Sequence, residues 1–224
     1  MTAGRGRFIT VEGGDGAGKT TQVRLLAEDL RALGLRVMLT REPGGTPGAE
    51  RIRELLVRGP VEGWDPVTEA LLHFAARRDH LVRSVWPVLD RGDWVISDRF
   101  ADSTMAYQGY GQGLERQAID RLYGIAVGHF KPDLTLILDV PAEKALDRAR
   151  ARQGDAAALG TQAAGEDRYE RLDQSFHERL RQGFLNIARI DPKRCAVVDA
   201  QGDVATVRSR IRAVVAQRLG LALA

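Results

Sequence analysis

Cysteine is nearly absent: Cys195 stands alone among 224 residues. One thiol cannot form an internal disulfide. Because this one lies in an apolar stretch, it reads as a buried, inert group of a chain kept in a reducing compartment. An excess of one charge is missing as well. Lysine and arginine number 33 against 30 aspartates and glutamates, a formal net charge of +3, too small to argue for a nucleic-acid surface. No uninterrupted apolar run approaches the length that spans a bilayer, and Met1–Arg7 lacks the apolar centre of a secretory signal. These absences predict a cytoplasmic protein with neither a membrane nor a nucleic-acid partner. No internal repeat and no linker divides the chain. With 44% hydrophobic residues, its length suits one domain with a substantial core.

What is present centres on one stretch, Gly13-Gly14-Asp15-Gly16-Ala17-Gly18-Lys19-Thr20, which reads G-x-x-x-x-G-K-T. Phe8–Glu12 before it is a short run of strand formers. Thr21 to Leu33 after it carries Val23, Leu26, Ala27 and Leu30 at helical spacing. Strand, glycine loop and helix form the setting in which this pattern binds phosphate. The glycines let backbone N–H groups turn inward, and the helix N-terminus favours an anion. Lys19 can reach the β- and γ-phosphates of a nucleotide, and the Thr20 hydroxyl can ligate Mg²⁺.

Four further strands are expected: Leu35–Thr40, Trp94–Ser97, Leu134–Val140 and Ala196–Asp199. Between them the periodicity predicts helices over Ala49–Val57, Pro66–Leu89, Leu114–Val127, Glu143–Gln153, Asp167–Ile190 and Val204–Leu219. Asp65 is a plausible N-cap with Pro66 at the first helical position. Gln108–Gly113 and Gly154–Gly165 read as loops, the second one mobile. Strands alternating with helices imply an α/β fold, a five-stranded parallel sheet flanked by helices on both faces. Ligands then bind beyond the carboxyl ends of the strands. The phosphate loop, Arg41–Thr46, Asp98-Arg99 and the segment after Asp139 all fall there.

The motif alone leaves a wide field, and further absences narrow it. A switch GTPase needs D-x-x-G after a strand and N-K-x-D for guanine, and neither occurs. The second half instead supplies a helix with Arg148, Arg150 and Arg152, then the expected loop. A closing lid that carries arginines would exclude water and place positive charge on a migrating phosphoryl group. Arg148 and Arg152, four apart, share one helix face, and Arg150 points elsewhere. Asp98, ending a buried strand, can hold Mg²⁺ or its water shell, and Arg99 beside it can grip a second phosphate.

On these residues the chain resembles the thymidylate kinases, a branch of the phosphate-loop nucleoside monophosphate kinases. The match is carried by Glu12 to Thr21, by Thr40-Arg41-Glu42-Pro43-Gly44-Gly45-Thr46, by Ala75-Ala76-Arg77 and by Asp98 through Gly109. Lys131-Pro132-Asp133-Leu134-Thr135 and the Arg148–Arg152 run complete it, in family order over nearly the whole chain. The resemblance implies transfer of the ATP γ-phosphoryl group to dTMP, with Mg²⁺, in a single domain whose lid spans about residues 145–168. It implies that Gly13 through Thr21 hold the ATP phosphates. Asp15 would lie near the acceptor's 3′-hydroxyl and the reacting phosphate. Arg99 and Arg77 would contact the dTMP phosphate and base region, Tyr107 would pack under the deoxyribose, and Gln108 would lie near the base. Glu42 and Pro43 would shape the acceptor site, with Ser103 in the same set and Glu170 beyond the lid. A homodimer through helices that include Pro66–Leu89 is also implied.

Two positions depart from the family pattern. Where the family has a phenylalanine stacking on thymine, alignment on Arg77 places His73, with Phe74 next to it. Phe74 is favoured as a packing or stacking residue, and His73 is left open. The lid is longer and richer in Ala and Gly than the resemblance predicts. Asp15-Gly16-Ala17 supplies no arginine, so the helping arginine is expected from the lid, as in bacterial members. The alternatives are a kinase for another nucleoside monophosphate and a non-catalytic nucleotide-dependent switch.

Overall fold

A computed structural model of the chain describes residues 5–61, 63–158 and 168–223, with backbone alone over 152–158. Five strands, β1 (Phe8–Glu12), β2 (Val37–Arg41), β3 (Trp94–Asp98), β4 (Leu134–Asp139) and β5 (Cys195–Asp199), form one parallel sheet. Their order is β2-β3-β1-β4-β5, so the winding reverses beside β1. Every β1 residue is buried, as a central strand covered on both faces requires. Its one hydroxyl, Thr10 Oγ1, is paired with Thr135 Oγ1 of β4 at 2.7 Å. Register sets Asp98 opposite both Val11 and Arg41. The loops after β1, β2 and β3 therefore leave the sheet side by side.

The helices are α1 (Lys19–Ala32), α2 (Pro47–Val57), α3 (Pro66–His80), α4 (Trp86–Asp90), α5 (Ala101–Thr104), α6 (Arg116–Ala126), α7 (Ala142–Ala158), α8 (Gln174–Ile190) and α9 (Val204–Leu219). On one face of the sheet, Val23, Leu26 and Leu30 of α1 and Val207, Ile211 and Val215 of α9 cover β1 and β4. On the other, Phe74, Leu81, Val85, Leu89 and Phe100 pack against Phe8 and Val95. Cys195 is buried beneath α8, and burial pushes its thiol up to about 12, which keeps it protonated and inert. Among the described residues no helix is long and apolar enough to cross a membrane.

The expected helix from Pro66 to Leu89 is continuous but widens into a π-turn at Leu81–Val85, just before Pro87. Proline has no N–H for the ladder, and a wider turn accommodates its ring. Asp65 caps the helix as expected, accepting the N–H of Val67 and Thr68 at 2.9 and 3.2 Å. Gln108–Gly113 is not simply a loop: Met105–Gly111 is a π-helical segment. Glycines on both sides let it pack closely on α8. A Cβ at Gly111 would sit 2.4 Å from the Phe176 ring, and one at Gly183 of α8 would sit 2.7 Å from Tyr110. The last long helix but one starts at Gln174, because Asp173 accepts the Phe176 N–H at 2.7 Å and caps it there. Residues 168–171 form turns, and Asp167 lies outside the described residues. Finally, α7 runs on to Ala158, past the predicted stop at Gln153, through an alanine run of high helix propensity. The remainder of the expected mobile loop, residues 159–165, lies outside the described residues.

Candidate active site

The loop after β1 takes its shape from Gly13, Gly16 and Gly18, at φ 134°, 79° and 86°. Gly16 is further constrained by α7: a Cβ there would lie 1.8 Å from the Ala145 carbonyl oxygen. Ala17 is buried in the core under α1. The sequence thus lacks a loop arginine at these positions because neither has room for one. Gly14 and the exposed Gly18 and Thr21 complete the loop and its entry into α1. Lys19 is buried, and its Nζ donates to the carbonyls of Gly13 at 3.1 Å and Gly14 at 2.7 Å. Burial, and then the charge of Arg99, lower its pKa to about 8. Thr20 Oγ1 donates to Asp98 Oδ2 at 2.6 Å, so the two expected metal ligands stand together.

Arg99 is a non-glycine residue in the left-handed region, at φ 72°. Such a conformation persists only where its surroundings hold it, and here they do. Its N–H donates to Val11 O at 2.9 Å, and its carbonyl accepts from Ser97 Oγ at 2.7 Å. The turn aims the guanidinium back across the loop. Nη1 donates to Gly13 O at 3.0 Å and Ser103 Oγ at 3.1 Å; Nη2 donates to Asp15 Oδ1 at 2.5 Å and Tyr107 Oη at 2.9 Å. Tyr107 in turn donates to Asp15 Oδ2 at 2.8 Å. Beneath this cluster lies Glu12, wholly buried. It accepts the Phe100 N–H at 2.7 Å and the Ser103 hydroxyl at 2.6 Å. Burial, and then nearby Asp102, push its pKa up to about 7.

The second arginine, Arg77 of α3, donates through Nε to Glu42 Oε2 at 2.7 Å and through Nη2 to Phe100 O and Thr104 Oγ1 at 3.1 and 3.2 Å. Its guanidinium lies 4.7 Å from the Phe74 ring centre and 5.3 Å from that of Phe100. Phe74 itself is 3% exposed and packs edge-on to Tyr123 in the core. It does not line the cleft, whereas its neighbour His73 does. One step along a helix turns a side chain by about 100°, so only one of the pair can face inward. His73 stands 3.2 Å from Tyr169 Oη, and burial together with Arg77, Arg99 and Arg168 lowers its pKa to about 3. Gln108 is buried and donates to Glu69 Oε2 at 3.0 Å, as does Gln112 at 2.9 Å. Pro43, whose carbonyl accepts from Arg53 at 3.0 Å, and Glu170 also line the space.

These residues surround one continuous cleft of about 1200 Å³. That exceeds the roughly 300–1,000 Å³ of a site for one small ligand. One end is the loop with Lys19 and Thr20, closed by Arg148, Ala200, Asp203 and Val204; the other holds Glu42, His73, Arg77, Arg99 and Tyr107. Asp15 joins the two. Arg148 donates to Ala200 O at 3.4 Å. The Arg152 side chain lies outside the described residues.

Residues 11–211 match the sequence model of the thymidylate kinase family. The chain belongs to that family. It is 53% identical over 217 residues to the thymidylate kinase of Caulobacter vibrioides, covering 97% of this chain and 99% of the relative. It is 49% identical to that of Afipia carboxidovorans over 98% of this chain and 93% of the relative. A crystal structure of thymidylate kinase from Ehrlichia chaffeensis is similar with a TM-score of 0.74 and 36% identity, covering 94% of this chain and 99% of that one.

Several residues of the site escaped the family strings. Glu69 is fully buried and holds Gln108, Gln112, Tyr169 and an ion pair with Arg168. Arg168 also donates to the carbonyls of Leu56, Pro60 and Val61, pinning the turn before α8 to the end of α2 and the α2–α3 connection. Arg53 lines the cleft, and His80 braces Glu42. A charged residue at a core position of a helix is the available signal: Glu69 lies five residues before Phe74 and eight before Arg77.

Proposed function

We propose that the chain transfers the γ-phosphoryl group of ATP to dTMP, giving dTDP and ADP. The observation that carries this reading is the single cleft that joins the Lys19 loop to the Arg99–Asp15–Tyr107 cluster. ATP would lie along Gly13–Thr21 with its adenine toward the Ala200–Val204 loop; dTMP would lie between Tyr107, His73 and Arg77. A phosphate oxygen of dTMP attacks the γ-phosphorus while the bond to the β-phosphate oxygen breaks, and ADP departs with the electron pair. Lys19 leaves its loop carbonyls for the phosphates. Arg99 spans both nucleotides and offers a planar fork to the acceptor phosphate. Tyr107 and Asp15 orient the sugar. Arg148 and Arg152 on α7 would place charge on the migrating group as the lid closes. Thr20 in the first turn of α1 and Asp98 at the end of β3 are hard oxygen donors, the set that suits Mg²⁺. They would hold the ion, which when bound neutralises phosphate charge.

The exposed Leu55, Val67, Leu71, Val82 and Ile125 on α2, α3, the π-turn and α6 support a second copy of the chain as partner. The buried, free thiol of Cys195 fits a reducing cytoplasm. A coupled assay with ATP and a panel of acceptors tests the central step. It should give turnover with dTMP about a hundredfold or more above dCMP, AMP and thymidine. Comparable rates across the panel would refute the acceptor assignment.

A further inference from the structure

We propose that His80 is a positioning residue that keeps one nitrogen of Arg77 free for the acceptor nucleotide. The inference rests on reading Arg77 as a contact to that nucleotide. His80, Arg77 and Glu42 are all buried, at 0%, 2% and 4% exposure. Glu42 uses its two oxygens on two partners: Oε2 accepts from Arg77 Nε at 2.7 Å, and Oε1 faces His80 Nδ1 at 3.0 Å. A carboxylate oxygen accepts, so Nδ1 is the donor. The other ring nitrogen, Nε2, lies 2.6 Å from Thr40 Oγ1 on β2. The ring is thereby fixed from both sides.

The consequence falls on Arg77. Left to themselves, a carboxylate and a guanidinium prefer a two-toothed pairing with two parallel N–H···O bonds. Here His80 holds Oε1, so the carboxylate stays on Nε and does not swing to the end of the guanidinium, where a two-toothed pairing would engage Nη1 together with Nη2. Arg77 Nη2 is spent on Phe100 O and Thr104 Oγ1. Arg77 Nη1 is left buried with no partner among the described residues, on a side chain that lines the cleft. A buried guanidinium nitrogen without an acceptor is costly to keep, and a nucleotide oxygen is the acceptor that this place offers.

The loop between β2 and α2 is seated on the same histidine. A Cβ on Gly45 would lie 2.5 Å from Thr40 Oγ1 and 2.6 Å from two ring atoms of His80, and Gly45 holds φ +85°. The adjacent Asp79 accepts from Thr46, the N-cap of α2, at 2.5 Å. Two neighbouring residues of α3 therefore set both the loop carrying Glu42 and the aim of Arg77.

Steady-state kinetics on the intact protein, with melting curves as the check on folding, test this. In His80→Leu, Glu42 loses the contact that fixes Oε1 and can swing to the end of the guanidinium, where it captures Nη1. The KM for dTMP should rise about tenfold while the KM for ATP and kcat stay within about twofold. His80→Asn keeps a donor near the place of Nδ1 and should restore the KM for dTMP to within about threefold of the parent. Thr40→Val, which frees the far side of the ring, should fall between them. If His80→Leu does not fold, Thr40→Val carries the test. The proposal is overturned if the KM for dTMP is unchanged in the folded His80→Leu or Thr40→Val variant, or if both KM values and kcat shift together. Arg77→Lys separates the two layers. Should it leave the KM for dTMP unchanged, the reading of Arg77 fails; should it raise that KM while His80→Leu does not, only the role of His80 fails.

Discussion

The two ends of the cleft are built by different means. At the donor end the ligand-facing groups are a backbone turn and two side chains, Lys19 and Thr20, all within eight consecutive residues. Lys19 rests on the carbonyls of its own loop, and Thr20 on Asp98. At the acceptor end almost nothing is local. Glu42 comes from the end of β2, Arg77 and His80 from α3, Arg99 from the end of β3 and Tyr107 from a π-turn. Every one of them is held by another side chain or a distant carbonyl. A phosphate chain is recognised well by N–H groups that point inward, which a short glycine loop supplies alone. Choosing one nucleotide as acceptor needs side chains in fixed poses, and fixed poses need a second layer of bonds behind them. The acceptor end is consequently the more fragile.

The largest expected effect tests whether the ends are separable. Lys19→Ala should lower kcat by about 10²–10³-fold, the usual result of removing one preorganised charge donor, while dTMP affinity by calorimetry changes little. Equal loss of dTMP binding would break the distinction between the ends. A smaller effect comes from the lysine's own proton. Its pKa of about 8 lies below the ordinary 10.5, so the free protein loses this charge as pH rises through about 8. ATP affinity should weaken severalfold between about pH 7 and 9, and dTMP affinity should not follow it. A flat ATP profile would show that Lys19 stays charged in its carbonyl nest. The smallest effect is on stability. Glu12 releases its proton near 4.5 when unfolded and near 7 when folded. Between these values the folded state holds the extra proton, and stability falls as pH rises. Wild type should therefore lose stability relative to Glu12→Gln across that window in denaturant titrations. A constant difference would place the Glu12 pKa near its ordinary value.

Legibility in the sequence follows the same division. The donor loop could be read from its own residues, because strand, glycines, lysine and helix are contiguous. The five strands and their parallel order of folding units were legible too, since each is a short apolar run followed by a helical period. Of the acceptor residues, Arg99 is legible from its place at the end of a buried strand, and Glu42, Arg77 and Tyr107 through family strings; the structure brings them around one cleft. Their supports were not legible. Glu69 meets Arg168, and His80 meets Glu42 and Thr40, only after β2, α3 and the turn before α8 are packed together. The π-turns at Leu81–Val85 and Met105–Gly111 answer Pro87 and the close approach of Phe176, which no period in the local sequence announces. Asp173 is a cap that the local sequence does carry, immediately before Gln174. Phe74, expected to pack or to stack, packs in the core, and the helix phase that turns His73 toward the cleft instead is set by Arg77 and the core.

The claim that the acceptor end is held by buried side-chain partners and the donor end by its own loop is tested most directly by Glu42→Gln. The substitution preserves size and removes the charge that Arg77 and His80 share. Measured KM values should rise about tenfold or more for dTMP and stay within about twofold for ATP in a protein that melts as a folded unit. Equal increases for both nucleotides, or none for either, would contradict it.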